Sequence, residues 1–128
     1  MKKKDTEKER LASDRYSQLK SRVSYDLEKH WTRKDFIDWY VNKPQECCYC
    51  HCTKEELDKF YNLTDFKRKN TRGKSLEIER RKDGKYTKTN CALCCHWCNN
   101  AKSDVFSSEE FGPIGEAIGK AIKEKIKL

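Results

Sequence analysis

Apolar residues recur every three or four positions along the first half of the chain, which is the spacing of a helix that buries one face. The first such segment predicts one long helix over residues 7–31, with charged residues on its other faces. Its apolar stripe is formed by residues that lie four positions apart: Leu19, Val23, Leu27 and Trp31.

Two further helices are predicted from capping residues. Thr32, with Asp35 three positions later, is typical of a helix start, and Pro44 ends that helix. Thr53 and Glu56 form a capping box that opens a short third helix. The apolar residues of these two helices are Phe36, Ile37, Tyr40, Val41, Leu57, Phe60 and Tyr61.

The hydrophobic period then changes to two, which predicts a strand over residues 76–81. Asp83-Gly84 is a hairpin turn signal, because glycine tolerates the positive φ that such turns need. A second strand is expected to run from Tyr86 towards Cys91, and a helix to begin near Asn99.

The C-terminal segment predicts one more helix. Ser107 and Glu110 form another capping box, and Gly112-Pro113 is expected to break the chain after it. The apolar stripe beyond the break predicts core packing, with a dimer contact as the alternative. It consists of Ile114, Ile118, Ile122 and Ile126.

The composition places limits on the class of protein. A chain of 128 residues that is 35% hydrophobic and 39% charged forms one domain with a small core, and such domains often need a staple. It has no apolar run long enough to span a membrane, and its first ten residues lack the apolar segment of a signal peptide. We therefore expect a cytoplasmic protein, in which clustered cysteines bind metal more often than they form disulfides.

Most of the net charge of +8 lies in one segment. Residues 66–88 contain ten basic and three acidic residues, a balance of +7, which predicts contact with a polyanion. The expected DNA-binding residues are Lys67, Arg68, Lys69, Arg72, Lys74, Arg81, Lys82, Lys85, Lys88 and, beyond this segment, Lys102.

The eight cysteines suggest a zinc site. Two C-x-x-C pairs that are 44 residues apart match a site with four thiolates, which leaves no open position for water and is therefore structural. The predicted ligands are Cys47, Cys50, Cys95 and Cys98. The register stays open at this stage, because the remaining cysteines are close in sequence: Cys48, Cys52, Cys91 and Cys94.

The order strand, turn, strand and helix between these pairs resembles the ββα-metal motif of the HNH endonucleases, including its zinc-knuckle version. The stretch is LEIERRKDGKYTKTNCALCCHWCNNAKSD. The chain is most similar to the PacI-like restriction endonucleases, through FIDWY, C-x-Y-C, Y-x-x-x-N, C-x-x-C-N-x-x-K-S and G-E-A-I-x-K-A. This similarity starts near Trp31 and leaves the first 30 residues outside it.

The resemblance implies roles for individual residues. Glu79 stands at the family's acidic metal ligand and Asn99 at its second metal ligand, so that together they would hold Mg²⁺ or Mn²⁺. Asn90 stands where the family's central asparagine holds the loop between the second strand and the helix. Arg80 replaces the family's histidine base, as in PacI-like proteins, and would contact the scissile phosphate. Tyr49 is the leading candidate for the base and His30 is the second.

These observations predict an α+β fold, a small zinc-stapled ββα-metal (HNH) domain with flanking helices. Residues 1–31 are expected to form a basic helical extension and residues 32–128 the nuclease domain. The predicted function is divalent-metal-dependent cleavage of double-stranded DNA by a restriction-type homodimer, with the N-terminal helix favoured as the dimer contact. The alternatives are a zinc-ribbon DNA- or RNA-binding module without catalysis and a ribosomal type of zinc protein.

Overall fold

The computed structural model describes residues 6–23, 25–65, 75–82 and 85–127. These residues form six helices around a two-stranded sheet. The elements in chain order are α1 (Thr6–Arg22), α2 (Leu27–His30), α3 (Arg33–Asn42), α4 (Lys54–Leu63), β1 (Glu77–Arg80), β2 (Cys91–Cys94), α5 (His96–Lys102) and α6 (Ser108–Ile126).

The single helix predicted over residues 7–31 is wrong, because the chain turns between α1 and α2. The turn brings the end of this segment back alongside α1, where the hydroxyl of Tyr16 donates to the backbone oxygen of Trp31 at 2.5 Å. A continuous helix would carry these two residues more than 20 Å apart, at about 1.5 Å per residue.

An aromatic core joins α1 to α3. Tyr16 is fully buried, and its ring lies 5.3 Å from that of Phe36. The rings of Trp31 and Trp39 pack edge to face beside them at 5.1 Å. The apolar face of α1 is therefore covered by its own chain, which removes the reason for which the N-terminal helix was favoured as a dimer contact.

The predicted caps of α3 and α4 are confirmed. The hydroxyl of Thr32 accepts a hydrogen bond from the backbone nitrogen of Asp35 at 3.2 Å, and α3 ends two residues before Pro44. Thr53 and Glu56 form both hydrogen bonds of the capping box at the start of α4.

The two strands pair antiparallel, but the second begins later than predicted. Arg80 pairs with Cys91 and Glu77 with Cys94, so the second strand is β2 rather than residues 86–91. Ten residues separate the strands, which excludes a two-residue hairpin turn; Asp83-Gly84 itself lies outside the described residues.

Asn90 explains the long connection between the strands. Its side-chain oxygen accepts from the backbone nitrogen of Lys82, and its side-chain nitrogen donates to the backbone oxygen of Lys85, both at 2.8 Å. It therefore holds the loop between β1 and β2, whereas the resemblance implied the loop between the second strand and the helix. The buried amide replaces the backbone pairing that a short hairpin would make.

Two helix boundaries also differ from the prediction. Helix α5 begins at His96 rather than near Asn99, because the sulfur of Cys95 accepts from the backbone nitrogen of Cys98 and acts as the cap. Helix α6 continues through Pro113, where a break was predicted. Pro113 has no N–H to donate to the backbone carbonyl of Glu109. Because Glu109 is exposed, water can donate to that carbonyl instead.

Helix α6 packs against α4 and α5, and its Ser107–Glu110 capping box is confirmed. Ile122 is buried, and Ile114 and Ile118 pack against the core, which confirms the core-packing role of this stripe. Among the described residues, no helix has the length and apolar character needed to cross a membrane.

Candidate metal centre and active site

Four buried cysteines converge beside the sheet. The sulfur atoms of Cys47, Cys50, Cys95 and Cys98 all lie within 4.8 Å of one another, so the four ligands predicted from the sequence come together and could hold a metal ion. Thiolates around a tetrahedral zinc ion at 2.3 Å lie about 3.8 Å apart, so the cluster fits such an ion after small adjustments. We call these four residues the thiolate cluster.

The backbone around each pair is shaped for metal binding. The backbone nitrogen of Tyr49 donates to the sulfur of Cys47 at 3.4 Å, and that of Cys98 donates to Cys95 at the same distance. His51 adopts a left-handed φ of 61°, which lets its nitrogen donate to the carbonyl of Cys47 and closes the first knuckle. Each knuckle thus aims its sulfurs inward and stabilises negative charge on them.

Cys48, Cys52 and Cys94 lie against the thiolate cluster, and none of the eight cysteines is disulfide-bonded. Hydrogen bonding from Cys48 and other neighbouring thiols lowers the pKa of Cys47. The same bond to Cys47 raises the pKa of Cys48 to about 12. Cys52 donates instead to the backbone oxygen of Gly119 at 3.9 Å. Neither Cys48 nor Cys52 belongs to the four sulfurs that meet at one point.

Helix α6 supports the first knuckle through two glycines. A β-carbon on Gly115 would lie 2.7 Å from the β-carbon of Tyr49, and one on Gly119 would overlap the carbonyl oxygen of Cys50. Only glycine allows the helix to come this close.

A cleft of about 600 Å³ lies where β1 faces the end of α5. Its lining includes Glu79, Arg80, Asn99 and Lys102, and we call it the Glu79 cleft. The structure thus brings together the two predicted ligands of the catalytic metal and the predicted phosphate contact.

Glu79 is only 5% exposed, which is unusual for a carboxylate. One of its oxygens lies 3.5 Å from the ammonium group of Lys102. The other, Oε2, is buried and has no hydrogen-bond partner among the described residues. A buried carboxylate oxygen without a partner is costly and suits a cation that completes its coordination. With the amide oxygen of Asn99, the donor set matches a hard ion such as Mg²⁺.

Asn99 is held by a residue that the sequence analysis did not assign. Its side-chain nitrogen donates to Oε1 of Glu77 at 2.8 Å, and the other oxygen of Glu77 lies 3.1 Å from Nδ1 of His96. Burial raises the pKa of Glu77, but the bonds to His96 and Asn99 outweigh it, and the pKa is lowered overall. The signal available in the sequence was that Glu77 lies two positions before Glu79 and so shares its strand face.

Tyr49 lies close to the cleft but donates its proton elsewhere. Its hydroxyl donates to Ser108 at 2.9 Å, and its ring packs edge to face against Phe111. Burial raises its pKa further than the bond to Ser108 lowers it, and the carboxylate of Glu79 raises it again. This environment favours the neutral phenol, which works against Tyr49 as a base.

His30 does not contribute to the lining described for the Glu79 cleft. It is exposed and lines a separate depression of about 760 Å³ beside Trp39 and Lys88. Its ring lies 5.3 Å from that of Tyr25, on the side of the molecule formed by α2.

Arg80 is held by aromatic contacts. Its guanidinium lies 4.7 Å from the ring centre of Tyr86. The hydroxyl of Tyr25 accepts from the backbone nitrogen of Tyr86 at 3.0 Å and donates to its oxygen at 3.1 Å. The N-terminal part of the chain therefore fixes the segment on which Arg80 rests.

The predicted DNA-binding residues fall into three groups. Arg81, Lys82, Lys85 and Lys88 are exposed. Lys102 is instead 7% exposed and faces Glu79, because its long side chain reaches into the cleft from the end of α5. The rest lie outside the described residues: Lys67, Arg68, Lys69, Arg72 and Lys74.

Comparison with solved structures adds to this geometry. The chain matches the rare-cutting HNH restriction endonuclease PacI, whose structure was described for its perturbation of DNA. The TM-score is 0.65 at 27% sequence identity, over 88% of this chain and 78% of that one. The chain has a PacI-like HNH fold. No protein-family model and no functionally curated protein matches its sequence.

The extent of the PacI-like match bears on the N-terminal residues. A match confined to residues 32–128 would cover only about three-quarters of the chain. Coverage of 88% therefore includes part of the first 31 residues, which the sequence comparison had left outside the similarity. Helix α1, which lies in this part of the chain, packs on α3.

Proposed function

We propose that the chain is a divalent-metal-dependent endonuclease that hydrolyses phosphodiester bonds in double-stranded DNA, of the restriction type. The PacI-like fold supports a nuclease. The observation that carries the proposal is Oε2 of Glu79, a buried carboxylate oxygen without a partner in a cleft that also contains Asn99. A protein that only binds DNA has no need to bury such a group.

Different residues of the Glu79 cleft would bind the metal ion and the phosphate. Glu79 and Asn99 would hold Mg²⁺ or Mn²⁺, which when bound would polarise the phosphate and stabilise the leaving oxygen. Arg80 would contact the scissile phosphate and its developing negative charge. Its contact with Tyr86 keeps the guanidinium at the cleft before DNA arrives. Asn90 would keep the loop beside Arg80 in place.

The thiolate cluster would hold a structural zinc ion. Its four sulfurs can fill all positions of a tetrahedral ion, so the site is closed to water and substrate. Zinc binding would then contribute to folding, which suits a chain with a small apolar core.

DNA would be held by the exposed basic residues that follow Arg80 in the chain. Arg81 and Lys82 follow Arg80 directly, and Lys85 and Lys88 lie on the loop that Asn90 holds. Phosphate contacts of this kind position a duplex without reading its sequence.

The experiment is a cleavage assay on a long duplex with Mg²⁺ or Mn²⁺, with a chelator control. Glu79→Gln keeps the shape of the side chain but removes its charge, and we expect cleavage to fall at least about a hundredfold. Glu55→Gln is the matched control, since it makes the same change at an exposed carboxylate on α4, outside the lining of the Glu79 cleft. Wild-type protein that binds duplex DNA but never cuts it would support the non-catalytic binding module instead.

We also propose that the active form is a two-fold dimer, because one ββα site cuts one strand and a palindrome presents two. The apolar faces of α1 and α6 pack in the core of the chain itself. The dimer contact would therefore be formed by other residues, or only when DNA is bound. Sedimentation with a cognate duplex tests this. A one-to-one complex that nicks one strand would contradict the dimer.

A further inference from the structure

We propose that Glu77, itself held by His96 from within the second zinc knuckle, is a positioning residue that fixes the side-chain amide of Asn99 so that its oxygen is available to a metal ion. The inference rests on the proposed function and adds a role for a residue that lies outside the metal ligands.

The orientation of Asn99 follows from the chemistry of its neighbour. The amide oxygen and nitrogen of an asparagine have nearly the same shape, so the direction of the side chain is decided by its hydrogen bonds. A carboxylate accepts hydrogen bonds and donates none. Since Asn99 lies 2.8 Å from Oε1 of Glu77, its amino group must face Glu77. Its oxygen is then turned away from Glu77, and the residue also lines the Glu79 cleft.

Glu77 is itself fixed on its other side. Its Oε2 lies 3.1 Å from Nδ1 of His96, and both side chains are mostly buried, at 13% and 14% exposure. His96 stands between Cys95 and Cys98, which belong to the thiolate cluster. The hydrogen bonds therefore run from the second knuckle through His96 and Glu77 to Asn99. The zinc knuckle would orient a ligand of the second metal as well as stabilise the fold.

Strand geometry explains how β1 supplies both a metal ligand and a residue that supports another ligand. Glu77 and Glu79 lie on the same face of β1, opposite Cys94 and Ala92 of β2, and α5 packs against that strand. Glu79 offers an oxygen without a partner, while both oxygens of Glu77 are occupied. Of the two carboxylates, Glu79 is therefore the one that can act as a ligand and Glu77 the one that can support a ligand.

The first test measures Mn²⁺ binding to the zinc-loaded full chain by electron paramagnetic resonance, without DNA. Loss of a residue that orients a metal ligand typically weakens metal binding 10- to 100-fold. We expect Glu77→Ala to weaken Mn²⁺ binding by about tenfold or more and Glu77→Gln, which keeps an acceptor oxygen, to stay within about threefold of wild type. Zinc content is measured in parallel.

Two results would overturn the inference while leaving the proposed function intact, provided that wild type binds Mn²⁺ and Glu79→Gln does not. One is Mn²⁺ binding by Glu77→Ala at wild-type affinity. The other is equal loss in Glu77→Gln and Glu77→Ala, which would make the charge of Glu77 the essential feature and the residue a ligand. Absence of Mn²⁺ binding by wild type would overturn the proposed function and the inference together.

A second pair of variants decides the question if Glu77→Ala fails to fold. Asn99→Asp supplies a carboxylate, which is ordinarily the better ligand for Mn²⁺, but it cannot donate to Glu77 and places two like charges together. We expect it to bind Mn²⁺ more weakly than wild type. Adding Glu77→Gln restores a donor and should recover binding relative to Asn99→Asp alone. Tight binding by Asn99→Asp that Glu77→Gln does not change would contradict the inference.

Discussion

The thiolate cluster and the Glu79 cleft both take residues from α5, and they differ in what they leave open. In the cluster, four sulfurs from two knuckles surround one point, and every donor that a tetrahedral ion needs is already there. In the cleft, one carboxylate oxygen has no partner in the described structure, and an amide is held beside it. The first site is closed, and the second leaves a buried oxygen open for the cation that we propose.

On the proposed function, this difference separates a site that would serve the fold from a site that would serve the reaction. A closed site contributes its binding free energy to folding, because the unfolded chain cannot assemble it. An incomplete site costs stability, since a buried carboxylate has lost its hydration without full compensation. The small domain can bear that cost because the knuckles staple the same segment that carries Glu79 and Asn99.

The largest expected effect comes from breaking the closed site. Cys98→Ala should abolish stoichiometric zinc and cooperative unfolding, because structural zinc contributes on the order of 10 kcal/mol in small domains, comparable to the whole stability of a domain. Metal analysis and thermal unfolding by circular dichroism measure both. Cys48→Ala is the control, since Cys48 lies outside the four sulfurs that meet, and it should retain its zinc. A stable, zinc-free Cys98→Ala protein would contradict the role of the cluster.

A smaller effect is expected where α6 presses on the first knuckle. Helix propensity alone predicts that Gly119→Ala stabilises the protein, but the added carbon would overlap the carbonyl of Cys50. We therefore expect Gly119→Ala to lower the free energy of unfolding by about 1–3 kcal/mol. Gly112→Ala has nothing within 4 Å and should change it little, since the gain in propensity is offset by the following Pro113. A more stable Gly119→Ala variant would show that the knuckle moves freely under the helix.

In the Glu79 cleft, Tyr49→Phe tests whether a phenolate acts as the base. The hydroxyl donates to Ser108 and burial raises its pKa, so we expect the variant to keep at least about a tenth of the cleavage rate. Single-turnover cleavage at saturating Mg²⁺ gives the comparison with Glu79→Gln. His30→Ala is the parallel control outside the cleft. A loss in Tyr49→Phe as deep as that in Glu79→Gln would assign the proton transfer to Tyr49.

The smallest expected effect is on DNA affinity, when exposed basic residues of the loop after Arg80 are replaced. Lys82→Ala and Lys85→Ala should each weaken DNA binding a few-fold and lower the slope of log affinity against log salt by about one. Fluorescence anisotropy at several salt concentrations measures this. Lys59→Ala, on α4 away from the cleft, should leave the slope unchanged. If all three variants share one slope, the duplex does not cross this loop.

Local chemistry made much of the fold predictable from the sequence. The caps at Thr32, Thr53 and Ser107 act through residues three positions away, and the structure contains each of them. A four-thiolate site was also predictable, because a C-x-x-C pair can place two sulfurs at adjacent corners of a tetrahedron. The choice of four among eight cysteines was not, since it depends on which sulfurs the fold brings together.

What sequence reasoning missed depends on contacts between distant parts of the chain. The late start of β2 follows from side-chain bonds of Asn90 that replace a short turn, and no period of apolar residues reports them. The early start of α5 follows from a cysteine acting as cap, a role that usually belongs to serine, threonine, aspartate or asparagine. The contacts of Glu77 form only when α5 brings Asn99 and His96 to β1, so the sequence alone does not identify this residue.

The most direct test of two metal sites with different characters is a crystal structure of the chain soaked in Mn²⁺, with anomalous scattering recorded at the zinc and manganese edges. We predict a zinc signal at the centre of the sulfurs of Cys47, Cys50, Cys95 and Cys98, and a separate manganese signal between Glu79 and Asn99. Manganese absent from the Glu79 cleft, or bound only by other residues, would contradict the account.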